Sequence, residues 1–342
     1  MIIISPIWYI ENELSLSHGI DAGSVRLCVR HDGVKVIDVT ITCQRPHVAR
    51  ALRGRLANEA ATLIPLIYAL CGRAQGTAAS LAVAAARGLE VMPELNPLVQ
   101  REVMREHLWR WLLDLPVLLG NASLHKEFSN AIRALDAGQM DHLAALLGAP
   151  EILALTTAIE TIAQPPLATT SCLQVESAKA SLAVWPLLTD ELCLLPRWKG
   201  QPAETGAYSR SGTQITKSAG AFSARWRARL TEIENWVAGG AIVGAGGTAS
   251  AVPVSPGIGR SLVETARGLL MHEVTLDGDR IADYRIVAPT EWNCHPDGLL
   301  PTWLMDRPSA DETALKVYAA HAVAALDPCV RWELQLALEP TR

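Results

Sequence analysis

Three short segments carry residues that could do chemistry rather than only pack. Leu70-Cys71-Gly72-Arg73-Ala74 closes an apolar helical stretch and sets a thiol beside a glycine, which permits a left-handed cap or a close backbone approach. Ala266-Arg267-Gly268 precedes a strand-like run, with His272 a little further on. Asp327-Pro328-Cys329 lies near the end of the sequence. Thiolates are soft metal ligands, and an arginine fork donates paired hydrogen bonds to anions. Each also has a plainer reading: buried free cysteines pack as small hydrophobes, Arg267 can serve a salt bridge, and His272 can be a core histidine.

The cysteines stand at 28, 43, 71, 172, 193, 294 and 329, an odd count with no CxxC pair. Zinc ribbons, zinc fingers and thioredoxin chemistry are therefore unsupported, and in a reducing cytoplasm disulfides are not expected. Cys294 beside His295 is a candidate third ligand on adjacency alone.

Several elements must position these residues. Residues 24–42 read as a β-hairpin turning at Asp32-Gly33. A long helical stretch is predicted from Pro46 to about Gly120, with a kink or break near Leu63 because of Pro65. Shorter helices are predicted at 122–136, 140–147 and 151–163, and longer ones at 218–237 and 311–326. A second hairpin is predicted at 269–287 around Asp277-Gly278-Asp279. Residues 239–259, rich in Gly, Ser and Pro, read as a connecting loop. The run Gly244-Ala245-Gly246-Gly247 lacks the following helix and βαβ context of a dinucleotide site. The composition of 165–215 places no element, and there are no internal repeats.

With 342 residues, 49% of them hydrophobic and 19% charged, the chain can build a large core, which excludes a disordered tail or coiled coil. A formal net charge of −5 argues against a nucleic-acid partner. Met1–Asn12 is apolar but lacks a basic n-region and runs into Glu11 and Glu13, so neither a signal peptide nor a spanning helix is expected. No membrane association and a cytoplasmic location are the expectations.

In this order, the three segments resemble the large subunit of [NiFe] hydrogenases. Arg53-Gly54-Arg55 precedes the Cys71 segment as a similar run does in that family. The stretch from Arg267 to His272 looks like its RGxLxH element, and Pro289-Thr290-Glu291-Trp292-Asn293 looks like its PTxWN element. The likeness spans about 18–120 and 258–335. It departs where the enzyme has CxxC pairs: Ala74 and Trp332 stand at the two bridging positions, and Gln335 replaces the histidine closing the second motif. Asp21 lies near the place of the enzyme's proton-relay glutamate, but the surrounding pattern is shifted and the role is not carried over.

A shortened relative with one cysteine per pair is similar to the HupK/HoxV type of hydrogenase maturation protein. The resemblance implies an α+β, mostly helical, trimmed large-subunit fold in one domain over 1–342, with the segment 165–257 poorly placed. It implies no hydrogenase catalysis and a scaffold that transiently holds the Fe(CN)2(CO) group, without nickel, on Cys71 and Cys329. Arg267 would donate to cyanide nitrogens. These cysteines match the enzyme's terminal nickel ligands, so iron would sit differently here than in the enzyme. Expected partners are a small maturation chaperone and the hydrogenase large-subunit precursor, with Arg73 and Arg331 lending positive charge to the rim. A metal-free adaptor that mimics the large subunit is the other reading; a redox or hydrogen-sensing enzyme fits poorly without the bridging cysteines.

Overall fold

A computed structural model describes residues 23–46, 48–90, 96–167, 171–211, 220–240 and 249–339. Strands β1 (Ser24–His31) and β2 (Val36–Gln44) form the first hairpin. Asp32 Oδ1 accepts the N–H groups of Val34 and Lys35, both at 2.8 Å, and closes its turn.

The single helical stretch predicted from Pro46 to Gly120 is several pieces. Short 3-10 turns at Val48–Leu52 and Ala57–Glu59 lead into α1 (Ala60–Ile67) and α2 (Gly72–Ala86). α1 runs through Pro65 and stops at Tyr68, whose φ of −115° and ψ of 63° are not helical. The break thus falls beyond Leu63, at the turn that carries Cys71 into the first residue of α2. α3 (Pro97–Trp109) begins afresh under the Asn96 cap, then passes through a π-helical turn at Arg110–Asp114 into α4 (Leu115–Leu118).

Helices α5 (His125–Ala137), α6 (Met140–Leu147) and α7 (Pro150–Thr161) stand close to their predicted places. Among its described residues, the segment that composition could not place holds three short helices, α8 (Val175–Ser181), α9 (Asp190–Leu194) and α10 (Ala207–Ser211). α11 (Ala221–Val237) matches the predicted helix within the described residues.

The predicted loop at 239–259 needs correction. Residues Ala249–Ser255 form β3, and β4 (Ile258–Thr265) follows. With β5 (Gly268–Asp277) and β6 (Arg280–Val287) they make an antiparallel sheet ordered β3-β4-β5-β6. Pro253 is tolerated because β3 is an edge strand, where a missing N–H leaves no ladder bond unmade. Gly244–Gly247 and Asp21 lie outside the described residues.

The Ala-rich α2 lies against this sheet. A Cβ on Gly259 would come within 2.1 Å of the Ala82 carbonyl oxygen, so only glycine allows that approach. After α12 (Pro289–Asn293), α13 (Leu299–Leu304) and α14 (Glu312–Leu326), Asp327 turns left-handed at φ 52°. The chain ends its described part as β7 (Arg331–Leu338), parallel to β1 in the order β2-β1-β7. The sequence reading missed β7. The architecture is the expected α+β, with hairpins set into sheets. Among the described residues no single helix is long and apolar enough to cross a membrane.

Candidate functional site

Cys71 immediately precedes α2, and Cys329 lies in the short link between α14 and β7. Arg267 sits on the two-residue turn joining β4 to β5, where Thr265 pairs with Gly268. That turn is locked locally: Thr265 Oγ1 accepts the N–H groups of Arg267 and Gly268, each at 3.2 Å. Gly268 adopts φ 130°, and a Cβ there would strike Thr205 at 2.4 Å. The three elements converge, so the two sulfurs and the guanidinium lie within electrostatic reach of one another.

The PTxWN-like helix α12 ties the site together. Thr290 Oγ1 accepts the Cys329 N–H at 3.0 Å and lies 3.1 Å from its sulfur. Asn293 Nδ2 donates to the Arg267 carbonyl at 3.1 Å, while its Oδ1 accepts the Thr205 N–H at 2.9 Å. One short helix thereby holds both the second cysteine and the arginine turn.

Each sulfur meets different neighbours. Gln75 Nε2 donates to Cys71 Sγ at 3.6 Å. His272 holds that amide with Nε2 at 3.0 Å from Gln75 Oε1, and meets Tyr284 OH with Nδ1 at 2.8 Å. Burial pushes His272 down to about 3, so it is the neutral core histidine of the plainer reading. Burial, then Cys329 and Glu102, push the Cys71 thiol up to about 12. Arg45, absent from the sequence candidates, donates Nη2 to Cys329 Sγ at 2.7 Å. Its Nε lies 3.3 Å from Glu291 Oε1.

Arg267 belongs to a buried ionic network. Nη2 donates to Glu106 at 2.9 Å, and Nε lies 3.3 Å from Asp327. Asp327 also meets Arg110 at 2.7 Å. Burial works against its charge, yet Arg110, Arg267 and Arg229 hold the Asp327 carboxyl down to about 2. The salt-bridge reading of Arg267 is thus realised. Glu102, one turn before Glu106 on α3, accepts the N–H groups of Arg73 and Ala74 at 2.7 and 3.0 Å. Burial raises Glu102 to about 7 against those bonds.

Ala74 is fully buried beside Ala78, Val263 and Leu270, and Trp332 packs into the apolar cluster that Cys329 touches. Cys294 is enclosed in the same cluster, and among the described residues no three His, Cys, Asp or Glu side chains form a metal-holding group. Gln335 is exposed on β7, paired across from Cys28. Arg73 is exposed; Arg331 is also exposed and lies 3.8 Å from Glu333. Thr290 and Asn293 could have been read from the PTxWN element, and Glu102 and Glu106 from their i, i+4 spacing on one helix face. Arg45 carried no sequence signal.

A family model described as nickel-dependent hydrogenase matches residues 233–331. The structure resembles the [NiFeSe] hydrogenase of Desulfovibrio vulgaris Hildenborough, with TM-score 0.55 and 15% identity, over 86% of this chain and 93% of that one. That likeness shows the fold. In sequence the chain is 32% identical to hydrogenase expression/formation protein HoxV of Cupriavidus necator, over 87% of this chain and 92% of that protein. It is 31% identical to hydrogenase expression/formation protein HupK of Rhizobium leguminosarum bv. viciae, over 92% and 97%. The motifs, the fold and similarity over most of the chain agree: the chain belongs to the HoxV/HupK family of hydrogenase expression/formation proteins.

Proposed function

We propose that this protein is a non-catalytic scaffold of [NiFe] hydrogenase maturation that holds an Fe(CN)2(CO) group on Cys71 and Cys329 and passes it to the large subunit. The observation that carries this reading is the convergence of the two cysteines with Arg267, while Ala74 and Trp332 fill the bridging positions with side chains that cannot ligate. Low-spin iron bearing three diatomic ligands has few open positions, and two thiolates can fill them while leaving exchange feasible. Arg267, oriented by Glu106 and Asp327, offers a guanidinium to the anionic cyanides. A carrier should bind its cargo less firmly than the acceptor does, and two thiolates in place of four meet that demand. Nickel has no place in the scheme, because the enzyme's shared thiolates are missing. The partners on this reading are a small maturation chaperone that delivers the iron group and the large-subunit precursor that receives it, all in the cytoplasm.

One observation favours the metal-free adaptor: both sulfurs already have hydrogen-bond partners, Gln75 for Cys71 and Arg45 for Cys329. Infrared spectroscopy of anaerobically purified protein separates the two readings. The scaffold predicts bound cyanide and carbon monoxide bands that disappear in Cys71→Ala and Cys329→Ala. Bands that persist in both variants would remove the ligand assignment, and wild-type protein without bands would favour the adaptor.

A further inference from the structure

Three of the chain's ten tryptophans gather around a cleft that neither Cys71 nor Cys329 lines. The Trp185 ring centre lies 5.4 Å from that of Trp198 and 5.9 Å from that of Trp292. The cleft holds about 280 Å³ and is walled further by Val184, Pro186 and Leu188. Trp292 is buried, whereas Trp185 and Trp198 are half-buried and meet solvent. The apolar surface continues outside: Val184 is 81% exposed and Leu187 51%. Apolar side chains left in water beside an indole-lined cleft mark a contact surface, and tryptophan is among the residues that carry most interface energy. A small ligand would need only the cleft. Val184 and Leu187 extend the surface to that of a peptide segment.

The rim is basic on a chain whose net charge is −5. Arg197 and Lys199 both line the cleft. Arg197 is paired with Asp297. Lys199 is in no ion pair among the described residues, and its ammonium stands 5.5 Å from the Trp198 ring centre. The backbone holds it there under strain. Trp198 and Gln201 exchange backbone hydrogen bonds at 2.8 and 3.0 Å, closing a two-residue turn with Lys199 at φ 50° and Gly200 at φ 79°. Such a turn favours Asn or Gly at both central positions. A lysine there is conformationally costly, and what it provides is a cation poised over the indoles.

We infer that this cleft is the docking site for a segment of a protein partner in which an aromatic or long aliphatic side chain stands beside a carboxylate. The apolar side chain enters among the three indoles, and the carboxylate pairs with Lys199. Trp292 belongs to α12, whose Thr290 and Asn293 hold Cys329 and the Arg267 turn. The segment therefore seats against the helix that supports the candidate site. The inference stands whether or not the cysteines carry iron.

Selection of phage-displayed random peptides on the purified full chain, followed by calorimetric titration, tests this. The selected peptides should share an aromatic or long aliphatic residue adjacent to Asp or Glu. Lys199→Gly removes the cation and relieves the left-handed strain. It should melt no lower than wild type yet bind the peptides about tenfold more weakly, and added salt should narrow that gap. Val184→Asp alters an exposed side chain, so it should keep the wild-type circular dichroism melt while losing binding. Failure to select any peptide, peptides without the apolar–acidic pairing, or equal binding to wild type and both folded variants would each overturn the inference.

Discussion

Cys71 and Cys329 are the same residue in the same site, yet the fold treats them oppositely. Cys329 Sγ accepts from the Arg45 guanidinium at 2.7 Å and lies 3.1 Å from the Thr290 hydroxyl. Cys71 is met by packing, with a long contact from Gln75 and a carboxyl, Glu102, near enough to disfavour a thiolate. The difference lies in what precedes each cysteine. Cys71 ends a turn pressed between α1 and α2, beside small apolar residues. Cys329 follows the left-handed Asp327 into a gap bordered by α12 and the Arg45 segment. The two sulfurs are therefore unequal in their hydrogen bonding, with a guanidinium close on Cys329 and only a long amide contact on Cys71.

The largest test removes the carboxylate that Arg110 and Arg267 share. Asp327→Ala would leave Arg110 and Arg267 buried without their shared carboxylate, and breaking such a network costs about 3–5 kcal/mol. Urea unfolding should show that loss. Because Asp327 is held down to about 2 from an ordinary 3.8, its contribution is complete above pH 3.8 and is lost as pH falls through about 2. A variant as stable as wild type at pH 7 would remove Asp327 from its place as the common support.

Alkylation addresses the Cys71 sulfur directly. With its thiol pushed up to about 12, Cys71 should react with iodoacetamide at pH 8 about a hundred- to a thousandfold more slowly than an ordinary free thiol. Mass spectrometry of timed digests resolves it from the other cysteines. Rapid labelling of Cys71 would erase the contrast.

Glu102→Gln should weaken that contrast by a smaller amount. Burial raises Glu102 from 4.5 to about 7, so the folded state holds this proton more tightly than the unfolded chain does. Stability contributed by the protonated form is therefore present below pH 4.5 and falls away as pH rises to about 7. The glutamine variant should show a flatter pH profile, by about 1–2 kcal/mol after allowing for its partial exposure, and faster Cys71 alkylation. A pH profile identical to wild type would contradict the assignment.

The smallest effect is expected at the rim. Arg73 and Arg331 each stand two residues beyond a site cysteine and are exposed. Reversing both charges should slow association with a maturation chaperone a few-fold, an effect that added salt removes. Equal recovery of the chaperone in pull-downs with wild type and the double reversal would leave these arginines as plain surface residues.

Cys71, Arg267 and Cys329 were legible because their motifs are local: a thiol at a helix start, an arginine before a turn glycine, a thiol after Asp-Pro. The first hairpin, the second hairpin and most helices were legible for the same reason, since turn residues and apolar periodicity act over a few positions. The loop assigned to 239–259 failed because Pro253 and the glycines suggest a break, and only the sheet order reveals that β3 is an edge where proline does no harm. The parallel strand β7 failed because its partner, β1, lies at the other end of the chain.

By itself, the sequence determined the residue types of the candidate site, their order and the kinship these imply. Tertiary structure alone decided which sulfur receives the Arg45 guanidinium and which has the Glu102 carboxyl nearby, because Arg45, Glu102 and Thr290 are distant in sequence from the cysteines or helix ends they serve. It also made Asp327 the shared counter-charge of two arginines from different elements. The physical reason is that charge effects depend on separation through a poorly screening interior, and separation in space is set by packing rather than by spacing along the chain.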